Sequence, residues 1–201
     1  MSVRPLHASE LDRAVAVLEH AFFADPALVH LVPDPDRRRR VAPRIGRAFI
    51  RYGLRYGVVW CTDDVSGMAL RRPPGRERIH LFGLLVSGMV WLPFALGLRA
   101  TWRLLMAERE TDARHRRLMR SRHWYLWMIG VHPDRQGEGL GARLMAHTFA
   151  QADADGVPCY LETTHPRAHA IHTAHGFRDA VRGVIPGTDL MVWSMVRAPG
   201  G

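Results

Sequence analysis

This chain contains no lysine: all 28 of its Lys+Arg residues are arginine. Without lysine there is no Schiff-base chemistry and no Walker-type loop, whose lysine reaches the β/γ-phosphates. Cysteine is scarce. Cys61 and Cys159 stand alone within β-type segments, so the spacing points to two buried small apolar residues rather than a disulfide or a metal pair. The first fourteen residues lack the apolar core of a secretory leader, which gives a cytoplasmic location as the expectation. Repeats and low-complexity stretches are also missing.

What is present is ordinary in amount and uneven in charge. Of 201 residues, 47% are hydrophobic and 23% charged, enough apolar material for a full core. The formal net charge is +9. The arginines are scattered rather than gathered on one motif, so the expectation is no nucleic-acid partner; the run Arg37–Arg40 reads as a solvated helix face. One long apolar run, Leu81 to Leu98, carries no formal charge over 18 residues. Gly83, Gly88, Pro93 and Gly97 weaken it as a spanning helix. It reads as a buried or substrate-lining helical insertion, without stable membrane insertion.

Along the chain, Ser2 to Pro5 is a short strand. Ser9 is placed to cap a helix from about Glu10 to Ala24, with Leu11, Val15, Leu18 and Phe22 on one face. Asp34 to Tyr56 is a second helix entered through Pro35. Val58 to Thr62 and Gly67 to Arg71 form a hairpin around Asp63-Asp64. After the break at Pro73-Pro74-Gly75 come the apolar run and a charged helix, Ala100 to Ser121. Trp124 to Val131 is a strand and Leu140 to Ala154 a helix closed by Asp155-Gly156. Val157 to Thr163, a short helix from Pro166 to His175, and the strands Phe177 to Ile185 and Leu190 to Val196 complete the order.

The densest signal is Gln136-Gly137-Glu138-Gly139-Leu140-Gly141, between that strand and that helix. Gly137, Gly139 and Gly141 are expected to take positive φ and to let a ligand approach the backbone. The first amides of the following helix have no partner within it and lie at its positive end, a site suited to a diphosphate. The spacing departs from the G-x-G-x-x-G of dinucleotide folds. It is Q-x-x-G-x-G, and it resembles the acetyl-CoA pyrophosphate loop of the GCN5-related N-acetyltransferase (GNAT) superfamily. Leu161-Glu162-Thr163-Thr164 and His175-Gly176-Phe177 extend the likeness. Ala21-Phe22-Phe23-Ala24-Asp25-Pro26, Asp34-Pro35-Asp36-Arg37 and His123-Trp124-Tyr125-Leu126 resemble puromycin N-acetyltransferase-like actinobacterial members.

The resemblance implies an α/β GNAT fold: one domain over residues 1–201, a mixed central β-sheet flanked by helices, and a helical insertion at about 75–121 before the central strand. It implies acetyl-CoA as co-substrate and no metal. Backbone groups of Ile129, Gly130 and Val131 would hold the pantetheine arm, and amides of Gln136, Gly137, Glu138, Gly139, Leu140, Gly141 and Ala142 the pyrophosphate. The glutamate base and tyrosine acid usual in the superfamily fall at Tyr125 and His172, so neither is carried over unchanged. Glu162 is then the candidate base, His172 a candidate acid through a pKa near neutrality, and the Val131 amide a candidate donor to the polarised carbonyl. Tyr125 and Trp127 share a strand face and are candidates to line the acceptor pocket. His169 and His172 have helical ligand spacing but lack a third donor type nearby. The expected activity is acetyl transfer to a primary amine of a small molecule, an aminoacyl compound or antibiotic among them. Transfer to a peptide or protein amine, or CoA binding without turnover, are the alternatives. Monomer and homodimer are both left open.

Overall fold

The computed structural model describes residues 2–77, 79 and 81–201, Leu81 by its backbone alone. The strands are β1 (Val3–Pro5), β2 (Val58–Thr62), β3 (Gly67–Arg72), β4 (Trp124–Val131), β5 (Cys159–Thr163), β6 (Arg178–Val184) and β7 (Met191–Arg197). Among the described residues these seven form one sheet in the order β1-β2-β3-β4-β5-β7-β6. The helices are α1 (Leu11–Phe22), α2 (Pro26–Leu31), α3 (Pro35–Tyr56), α4 (Leu81–Ser87), α5 (Leu92–Leu118), α6 (Leu140–Ala154) and α7 (Pro166–Ala174). The mixed sheet with flanking helices and the inserted α4–α5 are as the sequence implied.

Two apolar clusters sandwich the sheet. On one face Val15, Leu18 and Ile50 of α1 and α3 pack on Met68 and Leu70. On the other, Leu144, Met145 and Ala152 of α6 pack on Ala69, Leu126 and Leu161. Cys61 and Cys159 are free thiols fully inside these layers, as their isolation suggested.

Local chemistry sets the helix ends, with some departures from expectation. Asp34 caps α3 by accepting from the Arg37 amide at 2.7 Å, and Pro35 follows at the first turn. Ser9 caps nothing. It lies inside a 3-10 turn, Ala8–Glu10, where Glu10 reaches back to the His7 amide at 3.1 Å. The short α2, capped by Asp25 at the Ala27 amide, has too few residues to show a period and was not foreseen. Within the arginine run, Arg38 turns inward and donates to the Val32 and Pro33 carbonyls at 2.7 and 2.9 Å, while its neighbours stay exposed.

The insertion departs most. Leu92, Leu96 and Ala100 are buried against Leu31, Val32, Val41 and Ala48, but the opposite side of the same helix is open to solvent. α5 bends at Gly97, where φ is +71°, and Arg37 holds the bend by donating to the Leu96 carbonyl. Only one side of α5 meets the body, so the apolar run is neither wholly buried nor cleft-lining. Among the described residues no helix is long and apolar enough to cross a membrane.

Candidate active site

β4 and β5 run parallel, and they pair only at Trp124 with Cys159 and Tyr125 with Tyr160. Beyond that point they diverge. The gap is a cleft of about 530 Å³ lined by Leu126 to Val131, by Leu161 to Thr163, by the loop and start of α6, and by α7. On its other side, β4 meets β3 with a bulge: Leu70 stands opposite Met128 but Arg71 opposite Leu126. Trp127 is the extra residue, which bends the strand where the gap opens.

The bulge and ladder decide which peptide groups face the cleft. The His132 amide donates to Ser66 O at 2.8 Å, and Gly130 is register partner of Met68. Antiparallel alternation therefore turns the Gly130 peptide toward β3 and those of Ile129 and Val131 toward the gap. Gly130 has a steric role as well. A Cβ there would come within 3.0 Å of Ala21 and 3.1 Å of Phe22, so glycine lets the end of α1 form the cleft rim.

At the floor of the loop, Gly137 has φ of +88° and Gly139, which caps α6, has φ of +75°. A side chain would be strained at either position. Gly141 does not share this conformation and its Cβ would be tolerated, contrary to the expectation of three positive φ values. The open amides of Leu140, Gly141 and Ala142 cap the positive end of a 15-residue helix. The Glu138 side chain is directed elsewhere. It takes both ends of Arg135 at 2.7 and 2.8 Å, and Arg135 is tied in turn to Asp64 at 2.6 Å. Gln136 donates to the Val131 carbonyl at 3.1 Å, fastening the loop to the end of β4. The cleft wall thus includes Gln136, Gly137, Gly139, Leu140, Gly141 and Ala142, but not Glu138.

Glu162 lies on β5 just past the point of divergence and lines the cleft. Its carboxylate accepts from the Tyr160 hydroxyl at 2.8 Å, the Tyr125 hydroxyl at 3.3 Å and the Ser194 hydroxyl at 3.3 Å. Burial raises its pKa to about 7, with the Tyr160 and Tyr125 bonds opposing the rise. Losing water costs the carboxylate more than the three hydroxyls return, and the negative charge of Glu108 adds to the rise.

Tyr125 is a buried support rather than a pocket wall. Its ring packs near Tyr160 at 5.4 Å and His115 at 4.8 Å, and its hydroxyl is committed to Glu162. It lies outside the cleft lining because β4 still pairs with β5 at that level. Trp127, two residues on, lines the cleft and is held from behind by Phe49 and Tyr52. His172 also lines it, buried against Phe177 at 5.7 Å. Burial, then His175 and His169, lower its pKa to about 4. The expected titration near neutrality therefore fails, and at pH 7 the imidazole is neutral. Nδ1 of His172 has no hydrogen-bond partner among the described residues. His169 is engaged with Asp179 at 2.8 Å. Among the described residues no three His, Cys, Asp or Glu side chains converge on a metal position.

Phe22, Asp25, Arg135, Arg167 and Ile171 also line the cleft, a placement the sequence does not indicate. Tyr160 was legible in principle, being two residues from Glu162 on a strand. Ser194 was not, because it reaches Glu162 only through the β5–β7 register.

Residues 98–177 match the model of the Acetyltransferase (GNAT) family, a span running from the bend in α5 through α7. An uncharacterized N-acetyltransferase of Schizosaccharomyces pombe is 26% identical over 183 residues, covering 88% of this chain and 74% of that protein. Solved structures share the fold over nearly all of both chains. One described as histone acetyltransferase HPA2 and related acetyltransferase, from Corynebacterium glutamicum, has a TM-score of 0.67 at 22% identity, covering 100% and 97%. Arylalkylamine N-acetyltransferase 2 of Aedes aegypti has 0.62 at 14%, covering 98% and 97%. A polyamine N-acetyltransferase of Drosophila melanogaster has 0.59 at 14%, covering 98% of each.

Proposed function

We propose that this chain, an acyltransferase of the GNAT superfamily, moves the acetyl group of acetyl-CoA onto a primary amine of a small molecule, with residues 1–201 acting as one catalytic domain. The observation that carries the reading is the placement of Glu162. A carboxylate with pKa about 7 lines the cleft just past the point where two strands part. The peptide groups of Ile129 and Val131 and the amides around Gly139 form the opposite wall.

In this reading the loop amides hold the pyrophosphate and β4 the pantetheine, which sets the thioester carbonyl beside the Val131 amide. Glu162 accepts the proton that the attacking amine must lose, directly or through one water. The amine nitrogen bonds to the acetyl carbon, the C–S bond breaks, and the sulfur leaves as thiolate. His172 acts as a neutral imidazole, hydrogen bonding at the sulfur end of the cleft rather than delivering a proton from an imidazolium. Keeping a lysine-like amine neutral at pH 7 costs roughly 4–5 kcal/mol, an α-amino group only about 1 kcal/mol. A base titrating near 7 therefore suits acceptors of lower pKa. Trp127 gives the acceptor end an aromatic wall, which agrees with the puromycin N-acetyltransferase-like motifs and with an aminoacyl acceptor.

The test is calorimetric titration of acetyl-CoA, followed by thiol release with a panel of amines that includes puromycin. Binding with amine-dependent release is expected, ranked by falling amine pKa and by aromaticity. Binding without release from any small amine, but with release from peptides, moves the acceptor to the protein class. No binding overturns the cleft assignment.

A further inference from the structure

The insertion carries an apolar face that the body of the protein leaves bare. Trp91 is 67% exposed, Phe94 80% and Leu98 91%; Trp102 and Leu105 continue the face beyond the bend, and Phe82, Leu85 and Val86 add one side of α4. Leu98, Trp102 and Leu105 follow at helical spacing, and the exposed Arg109 ends the row. None of these residues lines the cleft. Single exposed apolar side chains are unremarkable, but an adjoining set of this size marks a docking surface.

Charge selects the occupant. Residues 82–107 contain no Asp or Glu, and their charged groups are Arg99 and Arg103, in a chain of net charge +9; the first acid after them is the exposed Glu108, beside Arg109. Arg103 helps fix the helix to the body by donating to the His30 carbonyl at 3.0 Å. Arg99 is exposed beside Leu98. A second copy would meet this face with the same arginines and no acid between 82 and 107 to answer them. The bend at Gly97 also denies two copies a straight seam. Tryptophan and phenylalanine projecting from a helical surface whose charged groups over residues 82–107 are all basic match an interface with anionic lipid.

We propose that the α4–α5 face docks this protein peripherally on an anionic membrane surface, with Trp91, Phe94 and Leu98 entering the headgroup layer and Arg99 and Arg109 at its edge. Docking leaves the cleft open, because its lining comes from the end of α1, β4, the glycine loop, α6, β5 and α7, and none of it from α4 or α5.

The experiment is flotation of the full chain with vesicles of equal phosphatidylglycerol and phosphatidylcholine, and with phosphatidylcholine alone. Sedimentation velocity is run on the same samples. The chain is expected to float with the anionic vesicles and to partition at least tenfold less in F94E, in L98E and in R99E/R109E, roughly the loss that two basic residues imply. Circular dichroism and any cleft activity should be unchanged in these variants. Absence of flotation, or equal flotation of wild type and L98E, overturns the proposal. A dimer that L98E splits, with no vesicle binding, overturns it in favour of a second copy.

Discussion

Across the cleft, β4 faces the gap with peptide groups and β5 faces it with a carboxylate. The β4 wall and its loop depend on backbone geometry: a bulge at Trp127, positive φ at Gly137 and Gly139, and open amides at the start of α6. The β5 wall depends on side chains gathered from three strands, with Tyr125, Tyr160 and Ser194 converging on Glu162. The first wall suits a ligand part common to many reactions, because peptide groups do not change with sequence. The second is where chemistry is tuned, because a single hydroxyl alters a pKa.

The sharpest way to break that division is Glu162→Gln. Loss of the proposed base should lower kcat/KM by roughly 10²–10⁴ while leaving acetyl-CoA affinity within about twofold, as steady-state kinetics beside calorimetry would reveal. Gly139→Val should do the reverse. A β-branched residue is strained at φ of +75° and intrudes on the open amides, so affinity for acetyl-CoA should fall roughly 30–100-fold with the circular dichroism spectrum retained. His172→Phe should reduce kcat by about tenfold or less, and more than it changes KM, if the imidazole only hydrogen bonds the departing sulfur. In Tyr160→Phe the carboxylate loses a bond that holds its pKa down, so the midpoint of the acidic limb of the rate profile should move upward, by about one pH unit.

The smallest effect is on stability. Folded Glu162, raised to about 7, contributes stability at low pH that is lost as pH rises through 7. Folded His172, lowered to about 4, contributes stability above pH 6.5 that is lost as pH falls toward 4. The two slopes oppose each other in wild type. Glu162→Gln removes one of the opposing slopes, so urea unfolding should report a steeper loss of stability between pH 6.5 and 4 in the variant than in wild type.

The same division explains what could be read before folding. Gly137 and Gly139 announce the loop because glycine spacing is a local signal, and helix α6 and strand β4 are long enough to show their periods. Glu162 was legible as a strand-end carboxylate in the gap left by a missing glutamate. Its raised pKa was not, since the burial that causes it exists only in the packed cleft, and Ser194, which opposes it, lies 32 residues away and joins it only by register. Tyr125 and Trp127 share a strand face in the sequence, yet divergence of β4 from β5 begins between them and makes one a support and the other a wall. The burial that lowers the pKa of His172 depends on tertiary packing of α7 against Phe177, which no local pattern carries. The open side of the insertion is not legible either, because an apolar run reports which residues shun water, not whether the fold supplies a partner for each side of the helix.

The most direct measurement is the pH dependence of kcat/KM for acetylation of an α-amino acceptor, wild type against Glu162→Gln. Wild type should lose activity as pH falls through about 7, beyond the protonation of the amine itself, and the variant should lack that limb. An identical limb in both proteins would mean that the proton leaves by another route and that Glu162 only shapes the cleft.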